Sequence, residues 1–239
     1  GTPVVVVLVN ARPVSISWIH ENVPAILEVW LPGEEGGRAV ADVLFGDYNP
    51  GGKLPISFPR TVGQVPVYYS HKPSGGRSHW LGDYVEGSTK PLYPFGYGLS
   101  YTTFEYSNLR ITPQDVDASG QVSIQVDVTN TGKMAGDEVV QLYVHIPAQN
   151  VTRPVKELKG FKRISLDPGQ SKTVIFELPV ALLGFYDENM DFVVEPGKVD
   201  VFVGSSSEDI RVSGEFNLVG EKFIIGNNKK FTTKVMVED

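Results

Sequence analysis

Cysteine does not occur in the 239 residues. Neither a disulfide framework nor thiol chemistry is available to the chain, an absence that fits a reducing compartment. Long apolar runs are missing too. The longest, "VVVVLV" at residues 4–9, falls far short of the ~20 residues that span a bilayer as a helix and has the length of a buried strand. No basic surplus exists: the formal net charge is -7, and no run of like charges builds the cationic face that nucleic acid requires. Neither nucleic acid nor a membrane is therefore an expected partner. The histidines (His20, His71, His79 and His145) have none of the spacings that zinc ligation uses, and no metal or cofactor is expected. The opening "GTPVVVVLVNARP" lacks the basic n-region and small-residue cleavage site of a signal peptide. It reads as a chain met in mid-domain, with no targeting signal visible, so the compartment stays open between cytoplasmic and secreted.

What is present suffices for one large or two ordinary domains: 41% of residues are hydrophobic and 10% aromatic. Two regimes follow one another. Through residue 60, apolar runs alternate with helical patterns, as in an α/β domain. Residues 4–9 are apolar on both faces, like a strand covered on both sides. Residues 15–22 predict a short helix and residues 25–31 ("AILEVWL") a second strand. Pro32-Gly33 turns the chain, and Glu34 and Glu35 open a helix to Phe45, with Ala39, Val40, Val43 and Leu44 at helical spacing. Two strands leave a sheet with open faces and edges, so this part is expected to be incomplete alone. From 104 to 217 the pattern alternates with period two: Val122, Ile124, Val126 and Val128; Val140, Leu142, Val144 and Ile146; Val174, Phe176 and Leu178; Val199, Val201 and Val203. Turn signals at 130–132, 167–169 and 195–197 separate these runs. The pattern predicts a two-sheet sandwich of immunoglobulin or fibronectin type III kind. Residues 61–103 form a long connecting segment rich in Gly, Pro and aromatics, and 218–239 a tail with one possible added strand.

Within the connecting segment, "PLYPFGYGLSYTTF" at 91–104 carries no charge. It fails as a nucleophile elbow, since Thr102 stands where G-x-S-x-G needs glycine, and as a dinucleotide fingerprint, since Tyr101 stands at the third glycine. Pro91 and Pro94 keep it extended, and the rings favour a packed joint over a platform on which a sugar stacks. "DENMD" at 187–191 resembles a calcium loop but has Phe192 at the sixth position and Lys198 at the twelfth; it reads as a polar hairpin turn. Glu34 and Glu35 follow a strand end, where α/β sheets place ligands, but adjacent acids at a helix start fit helix stabilisation better than the separated pair of a glycosidase. The polar loop "KPSGGRSHWLGDY" at 72–84 sets Arg77, His79, Trp80 and Asp83 in a glycine-jointed segment. That is the composition of a loop reaching over a sugar, or of one pinned by an Arg–Asp pair and a buried Trp. "NVT" at 150–152 is an N-glycosylation sequon.

Two long stretches, "PGEEGGRAVADVLFGDYNPGGKLPISFP" (32–59) and "PLYPFGYGLSYTTFEYSNL" (91–109), resemble the C-terminal half of glycoside hydrolase family 3, which includes β-glucosidases and β-xylosidases. The stretches "VTNTGKMAGDEVVQLYV", "PVKELKGFKRISLDPGQS" and "GFYDENMDFVVEPGKVDVFVGSSS" look like that family's fibronectin type III-like domain. The resemblance covers all but the last ~20 residues. It implies the end of an α/β/α sandwich followed by the fibronectin-like domain, in an enzyme whose (β/α)8-type barrel carries the aspartate nucleophile and whose earlier α/β segment carries the acid/base glutamate. Neither motif is found here, so no catalytic residue is assigned. The expected partner is an N-terminal chain or segment bearing the barrel, and the expected substrate a terminal β-linked saccharide hydrolysed with retention. Residues 72–84 then border the substrate through Arg77, His79, Trp80 and Asp83. The alternative is a non-catalytic carbohydrate-binding or adhesion module, which would expose the aromatics at 93–101.

Overall fold

A computed structural model describes residues 1–73, 77–78, 82–83, 88–147 and 150–239. The α/β part begins with β1 (Val5–Leu8), α1 (Ser17–Asn22), β2 (Ala25–Glu28) and α2 (Gly36–Phe45). β1 and β2 pair in parallel, Val5 opposite Ala25 and Leu8 opposite Glu28. Helix α2 starts one residue after the two glutamates. Glu35 is its N-cap, without a side-chain capping bond, and Gly46, at φ 84°, ends it in the left-handed conformation that glycine adopts without strain. The apolar run at 4–9 is not enclosed as its pattern suggests: Val4, Val5 and Val9 remain exposed, because the described residues supply only one neighbouring strand.

After the two-residue strands β3 (Arg77–Ser78) and β4 (Gly82–Asp83) comes the sandwich: β5 (Phe104–Thr112), β6 (Asp115–Val116), β7 (Gln121–Asn130), β8 (Gly136–His145), β9 (Glu157–Leu166), β10 (Ser171–Pro179), β11 (Phe185–Tyr186), β12 (Phe192–Val194), β13 (Gly197–Gly204), β14 (Ile210–Leu218), β15 (Phe223–Ile224) and β16 (Lys234–Glu238). One sheet has the order β16-β10-β7-β5 and the other β6-β14-β13-β8-β9, with a small sheet β11-β12-β15 at one end. The inward face of every alternating run meets in one core: Val122, Ile124, Val126 and Val128 face Val140, Leu142, Val144, Val199, Val201 and Val203 with no exposed surface. This is an α/β fragment followed by a fibronectin type III-like sandwich.

The tail is part of the sandwich. β16 lies antiparallel on β10, β15 pairs with β12, and Ile225 is buried in the main core. On the outer face of the first sheet, a bulge in β5 places Asn108 at φ 50°. There Asp127 takes both guanidinium nitrogens of Arg110 (2.8 and 3.1 Å) with Asn108 (2.9 Å) and Thr173 (2.7 Å). The Arg110 hydrogen bonds hold the Asp127 carboxyl well below the usual carboxylate range. Its contribution to stability is complete above its unfolded pKa near ~4 and is lost as pH falls below that value.

Two outcomes follow for the full-length protein. Ile225→Ala should destabilise the sandwich by ~2–5 kcal/mol in denaturant melts, as large-to-small core changes do; an effect below ~0.5 kcal/mol would place the tail outside the core. Asp127→Asn should lower the melting temperature at pH 7, and the gap from wild type should close as pH drops below ~4; a gap independent of pH would refute the carboxylate's role.

Candidate functional site

The two long motifs meet each other in space. Residues 54–58 and 92–97 run antiparallel, joined by Leu54 N–H to Tyr97 O, Gly96 N–H to Leu54 O, Phe58 N–H to Tyr93 O and Leu92 N–H to Phe58 O, each 2.8 Å. On one side Phe58 and Leu92 close a small core with Ile16, Ile26, Leu54 and Trp30 under the α/β part. On the other side the pair lies on the outer face of β8, which a sandwich normally leaves to water. Tyr143 is fully buried there, edge-on to Tyr69, which stacks on Phe95 at 4.6 Å. Gln141, also buried, donates to Ser205 O (2.6 Å) and Gly96 O (3.3 Å) and accepts the Tyr143 hydroxyl (2.5 Å). Gly96 is required on two counts: its φ is 81°, and a Cβ would lie 2.1 Å from Gln141 Oε1.

Polar side chains seal the seam. Asn49 accepts from Tyr101 N–H (2.8 Å) and the Ser100 hydroxyl (3.0 Å) and donates to Ala135 O (2.9 Å). Asn130 accepts from Thr102 Oγ1 (2.7 Å) and donates to Met134 O and Leu166 O. Lys53 donates to Gly98 O (3.1 Å) and pairs with Glu138 at 3.0 Å, both side chains nearly buried. Burial pushes the Glu138 carboxyl above its ordinary range, with Lys53 opposing. Ser100 thus spends its hydroxyl on an asparagine, and no base among the described residues bonds to it. Tyr93, Phe95 and Tyr97 are half-buried and Tyr101 is half-exposed, the arrangement of a joint. Asp187 of "DENMD" accepts the Asn189 and Asp191 N–H groups and pairs with Lys222, which sits where a cation would.

A second feature lies at the carboxyl ends of β1 and β2, where parallel sheets present ligand-binding residues. The Glu28 carboxylate accepts the Trp30 N–H (2.8 Å) and the Asn10 amide (3.3 Å), tying the two strand exits together. Trp30 sits at φ 51°, which costs a bulky residue ~1–3 kcal/mol; its ring rests 5.9 Å from Phe58. Nothing in the sequence announces this turn, and it ends β2 at Glu28, short of the expected Leu31. Of the polar-loop residues, Arg77 and Asp83 oppose each other in register on β3 and β4; His79 and Trp80 lie outside the described residues. Among the described residues no group of three His, Asp or Glu could hold a metal ion.

Residues 1–101 match the model of the glycosyl hydrolase family 3 C-terminal domain, and residues 138–207 match that of the fibronectin type III-like domain. The chain belongs to glycosyl hydrolase family 3. A periplasmic beta-glucosidase of Salmonella typhimurium is 47% identical over 92% of the chain, and a beta-xylosidase of Formosa agariphila 51% identical over 87%. The chain spans 29% of the length of each of these curated relatives. The crystal structure of a Listeria innocua beta-glucosidase in complex with glucose aligns at TM-score 0.87 and 40% identity, over 92% of this chain and 31% of that one.

The seam makes a prediction about paired burial. Lys53→Met alone strands the Glu138 carboxylate and should cost ~3–5 kcal/mol, whereas Lys53→Met with Glu138→Leu should cost less than the single change. Denaturant melts of both variants check this, and additive losses would show that the two charges are not coupled.

Proposed function

We propose that this chain serves as the C-terminal part of a retaining, exo-acting β-glycosidase that removes terminal glucose or xylose units from β-linked saccharides. The nucleophile and the acid/base come from a barrel and an earlier α/β segment outside this chain. The observation that carries the reading is the open sheet of the α/β part: its described strands β1 and β2 pair only with each other, and Val4, Val5 and Val9 of the apolar run stay exposed, as do Phe45 and Trp18 on the helices beside it. Such a surface supports a partner body packed against it, and the relatives are longer by the length such a body needs. The described residues supply walls and bracing through the hydrogen-bonded seam.

The half-buried aromatics at 93–97 weigh against a free-standing sugar-binding or adhesion module. The loop at 72–84 borders the substrate in this reading. Its support is the set Arg77, His79, Trp80 and Asp83 within a glycine-jointed stretch of sequence, a mixture of hydrogen-bonding groups and a stacking face that suits a sugar.

The full-length protein should hydrolyse 4-nitrophenyl β-glucoside or β-xyloside with retention at the anomeric carbon, read by proton NMR of the first-formed sugar, and residues 1–239 alone should be inactive. Activity of residues 1–239 alone would overturn the reading. His79→Ala with Trp80→Ala should raise KM for disaccharides severalfold, and unchanged kinetics would remove the loop from the site.

A further inference from the structure

We infer that the fibronectin-like sandwich seats the loop at 72–84 and thereby sets substrate affinity, with Lys72 and Tyr69 as the positioning residues that bond the loop's entry to residues 152–158. The inference rests on the reading of that loop as a border of the substrate and adds to it a role for the sandwich in the reaction.

Successive residues at the entry bond to the sandwich. The Tyr69 ring stacks on Phe95 at 4.6 Å, and its hydroxyl accepts the Leu158 N–H at 3.3 Å. The Val155 N–H donates to His71 O at 2.9 Å. Lys72 Nζ donates to Thr152 O at 2.5 Å. The receiving segment runs from the β8–β9 connection into β9 and is itself rooted in the sandwich. Arg153 is buried there, with Nη2 donating to Glu157 (3.0 Å) and to Leu183 O (3.4 Å) and the guanidinium 4.3 Å from the centre of the Phe185 ring. A seat supported from beneath in this way holds what is bonded to it in one place.

The exit is held from the α/β part. Gln64 Nε2 donates to Ser88 O (3.2 Å) and Lys90 O (2.9 Å), and Arg60 Nε donates to Lys90 O (3.0 Å). Arg60 is in turn tied to α1, its carbonyl accepting the Ser17 hydroxyl at 2.8 Å. Glu208 links the two ends, pairing with Lys156 of the seat at 3.5 Å and with Lys90 of the exit at 3.8 Å. The loop is therefore strung between the α/β part and the sandwich, and the placement of its polar groups depends on both. Small displacements of binding groups are felt in affinity and rate. Lys72 is exposed and Tyr69 half-buried, so removing their polar bonds should shift the loop without unfolding the sandwich.

The test uses the full-length protein with Lys72→Met, Lys72→Arg and Tyr69→Phe, and with Lys72→Met built also on the loop variant that carries His79→Ala and Trp80→Ala. Steady-state kinetics on cellobiose and xylobiose are measured beside trypsin nicking after Arg77, since Pro73 protects Lys72 itself from cleavage. Lys72→Met should raise KM about threefold or more and speed nicking by about the same factor, with kcat within about twofold and the melting temperature within about 2 °C of wild type. Lys72→Arg should restore both, because a guanidinium can donate to the same carbonyl. Tyr69→Phe, which keeps the ring stack, should raise KM by a smaller factor. On the loop variant Lys72→Met should raise KM no further, because it acts through the loop. Unchanged KM in Lys72→Met and Tyr69→Phe while the loop variant raises it, or a rise from Lys72→Met that persists in full on the loop variant, would overturn the proposal. Should the wild type cleave neither disaccharide, or the loop variant leave KM unchanged, the reading of the loop as a substrate border falls and the claim on affinity with it. Faster nicking of Lys72→Met would then mark a seat that serves the fold alone.

Discussion

The outer face of β8 is the constraint on which the arrangement depends. A sandwich strand has one face for the core and one for water. In β8 both are buried, because the extended motif pair at 54–58 and 92–97 lies across Gln141 and Tyr143. Covering a sheet with irregular backbone strands many polar groups unless each finds a partner. Here most do: the motifs satisfy each other as a short antiparallel ladder, Gln141 takes up the Gly96 and Ser205 carbonyls, and Asn49 and Asn130 absorb the turns on either side, while the buried Ser207 hydroxyl beside Phe95 is left without a partner. The polar inventory of the seam is therefore a condition of its apolar burial.

Charge is used differently in the seam and on the outer sheet face. In the seam, Lys53 and Glu138 are nearly dry, and the carboxyl is pushed up by burial, so its pairing fixes position at some cost in free energy. On the outer sheet face, Asp127 keeps contact with water and is held down by Arg110 and its neighbours, so it stabilises the fold across neutral pH. One pair specifies how two bodies meet; the other ties β5 to β7 and β10 within a single sheet.

Much of the sandwich was legible because period-two alternation has one physical meaning when one face is buried. Val122 to Val128 and Val199 to Val203 point where their spacing says. The same rule says nothing of Tyr143 and Gln141, which occupy the expected solvent face and are buried by chain more than 40 residues upstream. Composition did identify 91–104 as a packed joint, because uncharged rings between prolines have few other uses. It could not identify the partner of that joint, since the 54–58 stretch carries no signal of its own. The turn that follows β2 was the least legible feature. Pro32-Gly33 announces a turn, but a tryptophan in left-handed conformation is set by Glu28 and Phe58, which are tertiary neighbours, and β2 is cut short as a result.

The glycines of the seam carry one further consequence. A methyl group at Gly96, Gly98 or Gly132 would sit 2.1 to 2.2 Å from Gln141, the Gly52 carbonyl or Thr102, so backbone and side chain interlock there with no slack for sliding. The sandwich is accordingly not a cassette that begins at Phe104. A chimera assembled at that boundary would bring a foreign β8 under a native lattice of glycine contacts, and a graft that keeps the seam intact must carry residues 49–60 and 88–103 along with it.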